Sequence, residues 1–198
     1  ESLLIYSIVK KRRYDCVKAK GIYLSKGVAK TVEIEIDKPK RREVLIETKV
    51  CGICMGEVYA YLGKLPGNEV MGHEGVGVVV EVGEEVKGVK VGNNVTTLGG
   101  PAFAEYYKTD YQNIAEVPEG VKDLAYWISE PASCAVNGIR GSEIQIGDNV
   151  CIIGCGYMGL LLIQAMPKTY INSLVALDVQ EERLKLAKRF GAEHLINP

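Results

Sequence analysis

Three short stretches of this chain carry side chains able to do chemistry. In Gly72-His73-Glu74-Gly75 an imidazole and a carboxylate stand side by side at the mouth of the apolar, β-branched run 76–82. Burying such a pair bare costs several kcal/mol, so it must be solvated, paired or metal-bound. Nineteen residues before His73 lies Cys54, at the end of another apolar run. Cys, His and Glu brought to one point are borderline-soft donors that suit a zinc ion. The third stretch is Gly154-Cys155-Gly156-Tyr157-Met158-Gly159, a G-x-G-x-x-G loop. It follows the strand pattern 150–153 and opens a helix pattern led by Tyr157 and Met158, the context in which such a loop holds a dinucleotide. Gly154 permits the tight turn, Gly156 lets backbone approach a pyrophosphate, and Gly159 lets helix pack on strand. Asp178 follows Gly156 by 22 residues, at the end of the next strand. A carboxylate there accepts from both ribose hydroxyls and repels a 2′-phosphate, which favours NAD over NADP.

The elements that must position these groups change character along the chain. Residues 18–50 alternate apolar and polar and read as strands, with Lys38-Pro39-Lys40 as the turn between them. Residues 58–62 have helical composition, and Pro66-Gly67-Asn68 ends them. The runs 76–82, 89–95 and 103–107 read as further strands, the first buried on both faces. Many short strands with Gly turns predict a partly closed β-barrel. From residue 121 the period becomes helical. Residues 125–139 predict a helix kinked or started by Pro131. Residues 149–153 predict a buried parallel strand, 157–166 a helix stopped at Pro167, 174–178 a strand, and 181–190 a helix ended by Gly191. Strand, helix, strand, helix is a βαβα unit. The last six residues read as the start of a new strand, and together with Glu1 in place of Met they suggest a truncated chain.

Bulk properties narrow the function. The 198 residues are 47% apolar and 25% charged, ordinary for a globular protein. A net charge of −1 gives no electrostatic case for nucleic-acid or membrane partners. Within residues 1–42 there are 12 basic and 5 acidic side chains, a net of +7 that leaves −8 for the rest; the clusters 10–13 and 38–42 read as solvated faces or strand edges. No apolar run reaches membrane-spanning length and the N-terminus lacks a secretory pattern. Six cysteines, several inside apolar runs, fit a reducing compartment, so cytoplasm is expected.

The strip Gly72, His73, Glu74, Gly77, Gly83 and Val86 fills every fixed place of G-H-E-x-x-G-x-x-x-x-x-G-x-x-V, and so resembles the zinc-dependent medium-chain alcohol and polyol dehydrogenases. The resemblance runs from about Lys18 to the last residue. It implies a GroES-like domain over 1–135, with 1–17 an unmatched extension, followed over 136–198 by the first half of a Rossmann domain. It implies one catalytic zinc on Cys54, His73 and a carboxylate from Glu130-Pro131. That carboxylate is Glu130, or Glu74 as a direct ligand alternating with it, and Cys134, one turn after Glu130, is a further candidate. Cys51 reads as packing. Relatives often bind a structural zinc through four cysteines; residues 95–101 here contain none, so no structural zinc is expected. Relatives also carry a hydroxyl two places after the first ligand, where this chain has Gly56. Glu57 takes a place at which it can orient His73 from behind, and Tyr59 or water is left to carry the proton. Arg183 matches a position that packs on the adenosine ribose. The implied function is hydride transfer between a polyol, sugar or secondary alcohol and NAD, by a homo-oligomer when full length and weakly or not at all by a fragment. The alternative is a non-catalytic zinc- or nucleotide-binding module that keeps the fold; a zinc-free quinone reductase fits poorly with Cys54, His73 and Glu130 together.

Overall fold

The computed structural model describes residues 16–67, 69–166 and 170–198. The apolar stretch and basic cluster near the N-terminus, Asn68 and Pro167 lie outside them. Two compact units divide the chain, residues 1–126 and 127–198.

The first unit opens with strands β1 (Cys16–Ser25) and β2 (Val28–Asp37), a ten-pair antiparallel hairpin. Its tip is Lys26-Gly27, both at positive φ, the conformation a two-residue hairpin turn demands. Cross-strand partners are opposite in charge, Lys18 facing Glu35 and Lys20 facing Glu33. Strand β3 (Glu43–Cys51) then enters a five-stranded antiparallel sheet with β4 (Gly75–Val82), β5 (Asn94–Thr97), β6 (Tyr106–Asp110) and β7 (Ile114–Glu116), in the order β6-β3-β4-β5-β7. Val44, Ile46, Val79, Val95, Ala102 and Tyr107 are its buried core. Isolated bridges from Gly21 to Ala104 and from Tyr23 to Val70 tie the hairpin to this sheet's connections. Helix α1 (Met55–Tyr61) follows β3 directly, and its last carbonyl, that of Tyr61, accepts the Gly27 N–H at the hairpin tip.

A 3₁₀ turn, Leu124–Trp127, spans the boundary, and the first helix of the second unit is α2 (Glu130–Gly141). Strand β8 (Asn149–Ile153), helix α3 (Tyr157–Ala165), strand β9 (Ser173–Leu177), helix α4 (Glu181–Phe190) and strand β10 (His194–Ile196) follow. The three strands pair in parallel in the order β10-β9-β8. Ile163, Leu174, Ala176, Leu184 and Ala187 form the buried core. Gly191 ends α4 at φ 117, where its N–H reaches back to the Ala187 and Lys188 carbonyls.

Four expectations need correction. The run 89–95 is a strand only from Asn94. Gly92 sits at φ 94, and the Asn93 side chain accepts the Lys90 N–H, so the alternating valines before them lie in a turn. The strand expected over 103–107 begins at Tyr106, because residues 103 and 104 bridge to β1 instead. The helix expected from residue 125 starts at Glu130, since Pro131 occupies its first turn and interrupts what precedes it. Strand β8 is packed on one face: Val150 and Ile152 rest on the core, whereas Ile153 is 78% exposed.

Two glycines set opposite limits. A Cβ at Gly77 would overlap the Glu47 carbonyl and crowd Ile46, so β3 and β4 pair only without a side chain there. A Cβ at Gly56 would meet no atom within 4 Å. Gly77→Ala is therefore expected to lower the stability of the first unit by about 1–3 kcal/mol. Gly56→Ala should leave it unchanged or raise it by up to about 1 kcal/mol. Denaturant unfolding of both variants checks the contrast.

Candidate metal centre and nucleotide loop

Cys54 ends the turn out of β3 and is the N-cap of α1, with an extended backbone (φ −85, ψ 160). Glu57, one turn in, is 2% exposed. A carboxylate so buried must be fully partnered. Its Oε2 accepts the Cys54 N–H at 2.9 Å, and its Oε1 lies 2.6 Å from His73 Nδ1. An ionised carboxylate only accepts, so Nδ1 carries the hydrogen and the Nε2 lone pair is free to bind a metal. The Cys54 sulfur, the Glu57 carboxylate and the His73 ring offer atoms within 4.8 Å of one another. Glu57 holds the Cys54 backbone with one oxygen and the His73 ring with the other, so it orients the cluster, and the Cys54 sulfur and the far ring nitrogen of His73 are its donors. A thiolate sulfur beside an imidazole nitrogen fits zinc or another borderline-soft ion.

His73 sits in a strip with little freedom. Five successive carbonyls accept a hydrogen bond each: Met71 from Phe103 N, Gly72 from Ala102 N, His73 from Gly99 N, Glu74 from Gly52 N, and Gly75 from the Thr97 hydroxyl, at 2.8–3.3 Å. Gly72 is required twice over, by φ 95 and by the Phe103 ring in the place of its Cβ. Glu74, 9% exposed, lays its carboxylate over Gly52, where any Cβ would overlap it. Cys51 is half-buried against the core and donates to the Gly52 carbonyl at 3.3 Å. Burial pushes its thiol up to about 11, so it stays protonated at neutral pH. Tyr59 is 40% exposed on α1.

Glu130 belongs to the second unit, as the first residue of α2. Cys134 donates its thiol hydrogen to Glu130 Oε1 at 3.0 Å, so the two alternative ligands read from the sequence are partners of each other.

In the glycine loop, Gly154 takes φ 92 at the end of β8, and Gly156 is the N-cap of α3 with nothing near the place of a Cβ. A Cβ at Gly159 would overlap the Gly154 carbonyl. Tyr157 is 65% and Met158 40% exposed at the head of the helix. Asp178, 5% exposed, accepts Cys155 N–H at 2.7 Å through Oδ2 and Gln180 N–H at 2.8 Å through Oδ1, with Arg183 Nη1 3.7 Å away. Each carboxylate oxygen keeps a second acceptor direction. Arg183 thus pairs with Asp178, and sequence reasoning missed this hold of Asp178 on the loop backbone, which no local pattern signals.

The Gln180 and Cys155 N–H groups hold the Asp178 carboxyl below the usual aspartate range. A lowered native value contributes stability that is fully present above the ordinary value of about 3.9. It is lost as pH falls through the lower native one. Asp178→Asn should therefore flatten the acid limb of the second unit's stability curve, as read by unfolding at stepped pH.

Residues 40–119 match the family described as alcohol dehydrogenase GroES-like domain. The (R,R)-butanediol dehydrogenase of Bacillus subtilis is 30% identical, over 82% of this chain and 59% of its own length. The L-threonine 3-dehydrogenase of Caldanaerobacter subterraneus is 31% identical, over 86% of this chain and 58% of its own. The solved structure of the alcohol dehydrogenase RspB from Escherichia coli CFT073, complexed with NADH, superposes with a TM-score of 0.78 at 30% identity, covering 90% of this chain and 62% of that one. The chain thus spans under two thirds of the length of these relatives.

Proposed function

Because this chain belongs to the zinc-dependent medium-chain alcohol and polyol dehydrogenase family, we propose that it serves hydride transfer between a polyol, sugar or secondary alcohol and NAD. The observation that carries the proposal is the gathering of Cys54 and His73 behind a single buried carboxylate that leaves both donors free.

Cys54 and His73 would hold a zinc ion, with Glu130 or Glu74 as the carboxylate ligand. A zinc ion there would lower the pKa of a bound hydroxyl and so favour loss of hydride to nicotinamide. Glu57 fixes the imidazole tautomer, which keeps His73 a ligand rather than a base. Gly56 supplies no hydroxyl, so the alcohol proton leaves through Tyr59 or through water. The Gly154–Gly159 turn and the helix start at Tyr157 and Met158 would present N–H groups to the pyrophosphate. Asp178 would accept from the ribose, with Arg183 beside it, and its charge favours NAD over a 2′-phosphorylated cofactor. Assembly into a homo-oligomer follows the same reading. Gly56 favours one second reading, a zinc- and nucleotide-binding module without turnover, which predicts NADH binding with no alcohol-dependent NAD reduction.

Zinc stoichiometry tests the metal assignment. The chain should hold one zinc. Glu57→Ala should weaken binding roughly 10–100-fold, as loss of a partner behind a ligand does. Cys54→Ser and His73→Ala should weaken it further. Unchanged zinc content in Cys54→Ser would overturn the assignment. Long-range ¹⁵N–¹H spectra should show His73 protonated at Nδ1 in the parent chain and lose that preference in Glu57→Ala.

A further inference from the structure

The strip that carries His73 and Glu74 rests on a buried polar pair outside the metal-ligating residues. Thr97, 1% exposed at the end of β5, donates its hydroxyl to the Gly75 carbonyl at 3.3 Å. Its oxygen lies 3.0 Å from the hydroxyl of Tyr107, 1% exposed on β6. A threonine hydroxyl has one hydrogen; with that given to Gly75, the phenol must donate to Thr97. The result is a one-way relay from Tyr107 through Thr97 to the carbonyl one residue past Glu74. Burial holds the phenol well above its ordinary pKa, so the donor keeps its hydrogen at all working pH.

Packing makes Tyr107 a post between two segments. A Cβ on Gly75 would overlap its hydroxyl, and a Cβ on Gly100 would come within 2.8 Å of its ring. Gly75 ends the ligand strip. Gly100 belongs to the loop whose Gly99 N–H holds the His73 carbonyl at 3.0 Å. One side chain therefore sets the strip from its far end and the loop that clasps its middle. We propose that Tyr107 and Thr97 are positioning residues of the metal centre, fixing the height at which His73 stands opposite Cys54. The proposal rests on the zinc reading above and adds to it a support built from neither ligands nor their direct partners.

Cobalt(II) titration of the chain tests it, through affinity and through the thiolate-to-cobalt and d–d absorption bands, which report donor geometry directly. Tyr107→Phe and Thr97→Val should bind cobalt about 5- to 30-fold more weakly, the effect of leaving one buried polar group unpaired. Both should also shift the d–d bands. Thr97→Ser, which keeps the hydroxyl, should restore affinity and spectrum. Thr109→Val, at a buried threonine that pairs with Val44 on the same strand as Tyr107, should lower the unfolding midpoint without moving the bands. If Thr97→Val does not fold, Tyr107→Phe decides alone. A parent chain with no Cys54-dependent charge-transfer band overturns the zinc reading and this one with it. A normal parent band, with affinity and spectrum unchanged in Tyr107→Phe, overturns the positioning role only.

Discussion

A carboxylate 2% exposed to solvent is the constraint around which the first unit's chemistry is arranged. Glu57 is almost wholly withdrawn from solvent, so its two oxygens draw in a backbone N–H from Cys54 and the ring of His73. The first bond starts helix α1, and the second turns the imidazole. Neither could shift alone without stranding a buried charge. A residue placed to begin a helix thereby fixes the mutual position of two donors that lie 19 residues apart in the chain.

The second unit meets a similar need by similar means. Asp178 is also a buried carboxylate that takes backbone N–H groups, one of them from Cys155 inside the glycine loop. In both units a buried acid joins two segments: Glu57 in α1 holds the His73 ring, and Asp178 after β9 holds the main chain at Cys155. The difference lies in the partners: Glu57 spends one oxygen on backbone and the other on a ring nitrogen, whereas Asp178 spends both on backbone.

Much of this was legible because it is local. The G-H-E strip, the β-branched run behind it and the glycine loop each announce themselves within about a dozen residues, and α4 carries both its helical period and its Gly191 stop. The role of Glu57 behind His73 was open to reading as well, since its spacing from Cys54 matches a family place. What could not be read depends on partners distant in sequence. Val89 and Val91 alternate as strand residues do, yet the turn at Gly92 and Asn93 keeps them from pairing. Residues 103 and 104 look like the start of β6 and instead meet β1. Thr97 and Tyr107 are ordinary strand residue types, and nothing near either one says that their hydroxyls meet beneath Gly75.

Crowding dictates glycine at 52, 72, 75 and 77, where any larger residue would strike a carboxylate, a ring, a hydroxyl or a carbonyl. Position 56 escapes that dictation: its backbone is not left-handed, and an added Cβ would meet no atom within 4 Å. Architecture thus exerts no veto over what stands beside the first donor. The identity of that residue is an adjustable parameter, free to change while the scaffold stays as it is.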